Sequence, residues 1–144
     1  MAHRKFRGAR LARVIALEAV YRWDLTGENM INALEDAIRR EDVSPNVAAL
    51  ARTIVESVHA NLEKIDRTIE ETAVNWKLER LFAIDRNILR IAIGEMLAHS
   101  DTPPQLIIAE AIELAKTFST DDSGVFVNGV LDAVAKKLGI LKTD

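Results

Sequence analysis

The sequence predicts an all-α fold, a compact bundle of about seven helices. Three observations carry this. Apolar residues recur every three or four positions in segment after segment, the period of an amphipathic helix. Thr26-Gly27, Ser44-Pro45, Pro103-Pro104 and Gly139 punctuate those segments with helix stop and start signals. The stretch Ala83–Ala98 is apolar nearly all round, as expected of a helix buried on several sides that can cover the stripes of its neighbours.

The first helix is expected from about Ala9 to Asp24. Ala12, Ala16, Ala19, Val20 and Trp23 form its core arc. Arg10, Arg13, Leu17, Tyr21 and Asp24 fall on a second stripe. After Thr26-Gly27, a second helix over about Asn29–Arg40 turns Met30, Leu34, Ala37 and Ile38 inward. Ser44-Pro45 gives an N-cap and a first-turn proline. From there Val47, Leu50, Ala51, Ile54, Val58, Leu62, Ile65 and Ile69 keep helical spacing to about Glu71, with a break at Asn61 or Asp66. Val74–Lys77 reads as a connector in which Trp76 packs as a plug.

The central helix follows, with Asp85, Arg86, Asn87 and Arg90 crowding its first turns. That end is expected to reach the surface as a charged cluster. Glu95 lies on the apolar face and predicts a buried carboxylate paired with an arginine or a hydroxyl. A turn over His99–Pro104 precedes a helix over about Gln105–Phe118, whose buried side includes Leu106, Ile107, Ala109, Ala111, Ile112, Ala115 and Phe118. The last segment poses a choice. Val127-Asn128-Gly129-Val130 is a strong hairpin signal. Phe126, Val127, Val130, Leu131, Val134 and Leu138 nevertheless hold a helical period over three turns, and no second pair of strands exists to support a hairpin. The helix is preferred, and Gly129 then needs a packing reason such as close helix–helix contact.

Composition limits function. The 144 residues suit one domain, and 49% hydrophobic with 28% charged residues is ordinary for a soluble globular protein. There is no cysteine, and no apolar run long enough to span a membrane. The basic N-terminus lacks the apolar core of a secretory signal. The expected location is the cytoplasm. The three histidines are scattered, no glycine-rich phosphate loop is present, and the carboxylates suit solvated helix faces. Neither an enzyme nor a cofactor is expected.

Charge is unevenly placed. Five of the 19 basic residues, Arg4, Lys5, Arg7, Arg10 and Arg13, lie in the first 13 positions without one acid, leaving 14 against 22 acidic residues elsewhere. A basic arm on an acidic body suggests a polyanion site. A solubilising tail is the alternative. Tyr21, the only tyrosine, suits stacking on a base or anchoring a partner, or simply covers a core edge with its hydroxyl in water.

Several phrases together resemble one known family. Arg10, Ala12-Arg13 and Ala19-Val20-Tyr21-Arg22-Trp23-Asp24-Leu25 open the series. Ile65-Asp66, Trp76-Lys77-Leu78-Glu79-Arg80-Leu81 and Ile84-Asp85-Arg86-Asn87-Ile88-Leu89-Arg90 continue it. Glu110-Ala111-Ile112-Glu113-Leu114-Ala115-Lys116 and Phe126-Val127-Asn128-Gly129-Val130-Leu131-Asp132 complete it. In this order they are similar to the NusB transcription antitermination factors.

The resemblance implies two packed helical subdomains, about 9–62 and 63–144, in a single domain with a basic arm at 1–8. It implies the ribosomal protein NusE as partner, boxA RNA as ligand and the RNA polymerase antitermination complex, during ribosomal RNA synthesis, as the setting. It places Arg4, Lys5, Arg7, Arg10, Arg13, Asp122 and Phe126 toward RNA, and Tyr21, Asp85 and Phe126 toward the partner. Gly124-Val125 departs from a pattern in which many members carry His or Gly followed by Lys, so one cation near RNA is missing. Two other classes stay open. One is a protein-interaction module whose partner alone touches RNA. The other is an accessory domain like that preceding the catalytic part of some ribosomal RNA cytosine methyltransferases, disfavoured because no catalytic domain follows. Self-association as a homodimer is also open.

Overall fold

The computed structural model describes residues 3, 5–73, 75–98 and 101–142. Among them are seven α-helices and one 3₁₀ turn, with no strand: α1 (Gly8–Thr26), α2 (Met30–Glu41), α3 (Pro45–Ala60), α4 (Leu62–Thr72), the turn Leu78–Arg80, α5 (Ala83–Leu97), α6 (Pro104–Phe118) and α7 (Asp121–Lys137). The hairpin signal is overruled: Asn128-Gly129 lies inside α7.

Local chemistry sets most boundaries. Gly27 takes φ 77°, and its N–H closes α1 on the Trp23 carbonyl at 2.9 Å, a left-handed cap that glycine adopts without steric cost. Asn29 caps α2 by accepting from Asn32 N–H at 3.0 Å, and Ser44 caps α3 ahead of Pro45. The long apolar period from Val47 to Ile69 breaks at Asn61, whose side chain donates to the Ser57 carbonyl at 2.8 Å. Thr120 caps α7 by accepting from Ser123 N–H at 3.0 Å.

Helix α5 is the hub, packing against α1, α3, α4, α6 and α7. Ile88, Leu89 and Ile93 are fully enclosed there. Around it, α1 lies on α2 and α3, and α6 lies along α7. Gly94 permits the close α3–α5 approach, where Ser57 Oγ donates to the Gly94 carbonyl at 2.6 Å.

Four expectations change. The charged start of α5 does not emerge into solvent, for Asp85, Asn87 and Arg90 are buried. Partners from distant helices receive them. Arg86 Nε and Asn87 Nδ2 donate to Asp24 of α1 at 2.6 and 2.9 Å, and Arg90 donates twice to Asp66 of α4 at 2.8 and 3.1 Å. Arg90 also lies 5.1 Å over the Trp23 ring, a cation–π contact. Trp76 is no plug, being 55% exposed, because the connector carries it across the surface. Leu106 and Ala109 are exposed on the outer side of α6. Gly129 is exposed with nothing within 4 Å of where a Cβ would stand. Close helix contact is made instead at Gly94 and at Gly124, where the Lys116 stem crosses.

A second charged cluster ties α1 to α2. Glu18 accepts from Arg40 at 2.6 and 2.9 Å, from Arg22 at 3.1 Å and from His3 at 2.7 Å. Burial alone would raise its pKa, but the bonds from Arg40, His3 and Arg22 outweigh it and hold the carboxyl at about 2, below the ordinary glutamate value of 4.5. A depressed folded-state pKa adds stability that is complete above the unfolded value and disappears as pH falls through the folded one. Urea unfolding measured between pH 6 and pH 2, a range of about four units spanning both values, is therefore expected to lose stability below about pH 4.5. E18Q should flatten that acid limb; an equally steep limb would remove Glu18 as a source.

Candidate functional site

The arm is held at two points. His3 is buried, and its backbone N–H donates to Glu41 at 2.7 Å while its ring meets Glu18. Phe6 packs on Phe118 of α6, ring centroids 5.8 Å apart. Between and beside these anchors Lys5 and Arg7 are exposed, with Lys5 Nζ 5.2 Å from the Phe6 ring centre. Sequence reading did not anticipate His3 as an anchor, since a single histidine among cations carries no periodic signal. Arg4 lies outside the described residues.

The two helical arginines part company. Arg10 is exposed at the start of α1, with Nε and Nη2 donating to Glu110 at 3.0 and 3.1 Å. Arg13 does not face outward. It is 6% exposed and forms a fork–fork pair with Glu95 at 2.9 and 2.7 Å. The expectation that Arg13 meets RNA is therefore corrected: α5 and α6 cover its side of α1, and its guanidinium neutralises a carboxylate buried on α5. Glu95 itself is the paired carboxylate that its apolar position predicts. The hydrogen bond from Glu95 raises the Arg13 pKa despite burial.

At the N-terminal end of α5 lies an open groove of about 410 Å³. Its walls are Trp76, Arg80, Leu81 and Phe82 from the connector, and Thr120, Asp122, Ser123 and Phe126 from the start of α7. Phe82 is 68% exposed. Trp76 and Phe126 meet edge to face, centroids 6.5 Å apart. Asp85 also lines the groove and is 5% exposed. It is recessed in the groove floor rather than standing at the rim. Ser123 Oγ donates to Asp85 Oδ2 at 2.8 Å, and Thr120 Oγ1 donates to Ser123 Oγ at 3.1 Å. Asp85 Oδ1 is enclosed and accepts no hydrogen bond among the described residues. A buried acceptor left unpaired is costly, so Asp85 is the polar side chain of the groove whose hydrogen bonding the described residues leave unfinished.

Of the remaining expected site residues, Tyr21 is half-buried on α1, Asp122 is exposed at the groove rim, and Phe126 is half-buried in its wall. The structure thus brings Asp85, Asp122 and Phe126 together in the groove, while the arm cations Lys5, Arg7 and Arg10 are not among its lining residues. Trp76, Arg80 and Phe82 were missed as site residues. The available signal was two aromatics flanking a short polar connector, a place where burial is not enforced. Among the described residues no group of three or more His, Cys, Asp or Glu could hold a metal, and no helix is long and apolar enough to cross a membrane. The assembled chemistry is that of a docking surface: exposed cations, exposed aromatics and one recessed acceptor.

Comparison with known proteins gives this surface a context. The NusB family profile matches residues 10–136. The transcription antitermination protein NusB of Treponema denticola is 38% identical over 132 residues, spanning 90% of this chain and 97% of that protein. The NusB protein of Saccharopolyspora erythraea is 44% identical over 125 residues, spanning 86% and 84%. Among solved structures, T. maritima NusB superposes with a TM-score of 0.84 at 34% identity, covering 91% of this chain and 92% of that one. A crystal structure of the antitermination factors NusB and NusE in complex with double-stranded RNA contains a chain with TM-score 0.82 at 29% identity, covering 89% and 96%. A match of this extent to sequence and fold together places the chain in the NusB family of transcription antitermination proteins.

Proposed function

We propose that the chain is a transcription antitermination factor that binds boxA RNA jointly with the ribosomal protein NusE and acts within the RNA polymerase antitermination complex during ribosomal RNA synthesis. The observation that carries this reading is the groove beside α5, where exposed Trp76 and Phe82 and half-buried Phe126 surround the recessed Asp85, whose Oδ1 has no donor among the described residues. Aromatics near the centre of a contact are common anchors of protein interfaces. The partner side of this proposal rests on Asp85, Phe126 and Tyr21. The RNA side rests on Arg4, Lys5, Arg7 and Arg10, with Asp122 and Phe126 at the junction. Arm cations displace counterions from phosphates, giving salt-dependent binding with little sequence preference. Single-stranded boxA would add stacking and base-edge contacts. Nothing in this scheme requires bond chemistry.

One observation favours the protein-module reading as a second possibility: Arg13 is buried and Arg10 already holds a carboxylate, so the RNA surface of this chain alone is small. A single titration separates the two readings. Fluorescence anisotropy of labelled boxA RNA is expected to show weak, salt-sensitive binding by the chain alone and much tighter binding with NusE present. K5A/R7A should then weaken the chain's own RNA binding. No binding by the chain alone, together with an unaffected K5A/R7A ternary complex, selects the module reading. For the groove, W76A/F126A is expected to lower NusE affinity at least about tenfold, the effect of losing a buried aromatic anchor. Calorimetry showing undiminished affinity, or the groove closed by a second copy of the chain, would overturn this placement.

A further inference from the structure

Arg10 is the one helical arginine of the basic start that remains exposed, at 48% of its side chain, and its guanidinium is already engaged. Nε and Nη2 donate in parallel to the two Glu110 oxygens at 3.0 and 3.1 Å. This is the same two-bond fork a guanidinium offers a phosphate. The carboxylate sits deeper than its partner, 16% exposed. Glu113 adds a further negative field on Arg10. The Arg10 hydrogen bond lowers the Glu110 pKa, with the field of buried Arg13 acting in the same direction. Arg13 is itself committed to Glu95, so Arg10 is the arginine of the basic start that hydrogen-bonds Glu110. An exposed ion pair of this kind contributes little to stability.

We propose that Glu110 is a specificity-determining residue of the RNA surface: it occupies the place on Arg10 that a phosphate would take, so that RNA gains the full fork only by displacing a carboxylate. The inference rests on the RNA-binding reading given above. Its consequence is selective. A polyanion that merely drifts against the arm has to compete with a tethered anion present at high effective concentration. An RNA already positioned by the aromatic groove and by a partner brings its phosphate tethered as well, and competes on equal terms. Glu110 therefore suppresses unselective binding more than cognate binding, a form of discrimination by penalising the wrong ligand.

The test uses the full chain with E110Q. Glutamine keeps the shape and one acceptor, so Arg10 is still oriented while the charge is gone. Binding of single-stranded poly(U) is expected to tighten by about three- to tenfold at low salt, and its log–log salt slope to steepen by about 0.7, one additional phosphate contact. BoxA RNA with NusE should tighten less, so the cognate-to-poly(U) ratio falls. E110Q in an R10A background should show almost none of the poly(U) gain. Circular dichroism should show unchanged helicity. Three results would overturn the inference. Unchanged or weaker poly(U) binding by E110Q would make Glu110 a positioning group. An equal gain with R10A present would assign the effect to net charge alone. An equal gain for cognate RNA would remove the selectivity. Wild type that binds no RNA with or without NusE would instead refute the underlying RNA reading, and this inference with it.

Discussion

Arg13→Ala is expected to cost about 3–5 kcal/mol of unfolding free energy, the loss typical of removing one member of a buried ion pair. The guanidinium and the Glu95 carboxylate bond twice, at 2.9 and 2.7 Å, with side chains 7% and 2% exposed. Their surroundings are Ile91, Ala92, Ile107, Ala111 and Leu114, none of which offers a replacement side-chain donor. Truncation therefore leaves a carboxylate without its counter-ion in an apolar setting. The mutual character of the pair can be shown directly. R13M/E95M removes both charges and should recover most of the loss, because the pair contributes little beyond what well-packed apolar side chains would. The same double variant should retain the RNA affinity of the wild type, since Arg13 does not reach solvent. Urea titrations that show a loss under about 1 kcal/mol for Arg13→Ala would contradict the buried pair. A large drop in RNA affinity for the folded double variant would restore Arg13 to the RNA surface.

Gly94→Ala carries the second large effect, about 1–3 kcal/mol from overpacking a close helix crossing. A Cβ there would stand 2.5 Å from Val58 Cγ2, 3.3 Å from the Ile54 carbonyl oxygen and 3.4 Å from the Val58 nitrogen. The valine methyl can be removed, but the backbone atoms can move only with α3. Separation of α3 from α5 also stretches the bond from Ser57 Oγ to the Gly94 carbonyl. G94A/V58A is accordingly expected to be less destabilised than the two single losses added together, and more destabilised than wild type. Strict additivity in thermal or urea unfolding would mean that the two sites do not touch.

These two positions show how differently the sequence speaks about elements and about surfaces. Every helix was legible, because its signals are local: the 3.6-residue period, Ser44-Pro45 before α3, Gly27 after α1. The Asn128-Gly129 turn signal was outweighed for the same kind of reason, by three turns of apolar period in α7. Glu95 could be read as a paired carboxylate from its place on an apolar face, yet its partner could not be named. Arg10 and Arg13 share a stripe and look alike in the sequence, but one is exposed and the other enclosed. Trp76 and Phe82 were passed over as a surface because aromatic residues in a connector read most simply as core, although a short polar connector does not enforce burial. The recessed position of Asp85 depends on Ser123, 38 residues away.

What the chain order alone determined is the helical inventory, the family likeness and the concentration of positive charge at the start, since backbone hydrogen bonding and apolar period act over one or two turns. Which cations meet solvent, which carboxylates hold them, and where an aromatic groove opens were decided only when the helices packed. A side chain's exposure is set by what covers it, and for Arg13, Asp85 and Arg90 the covering residues lie on helices far away in sequence. Burial then leaves each charge either paired or penalised, so the assembled neighbours select its role.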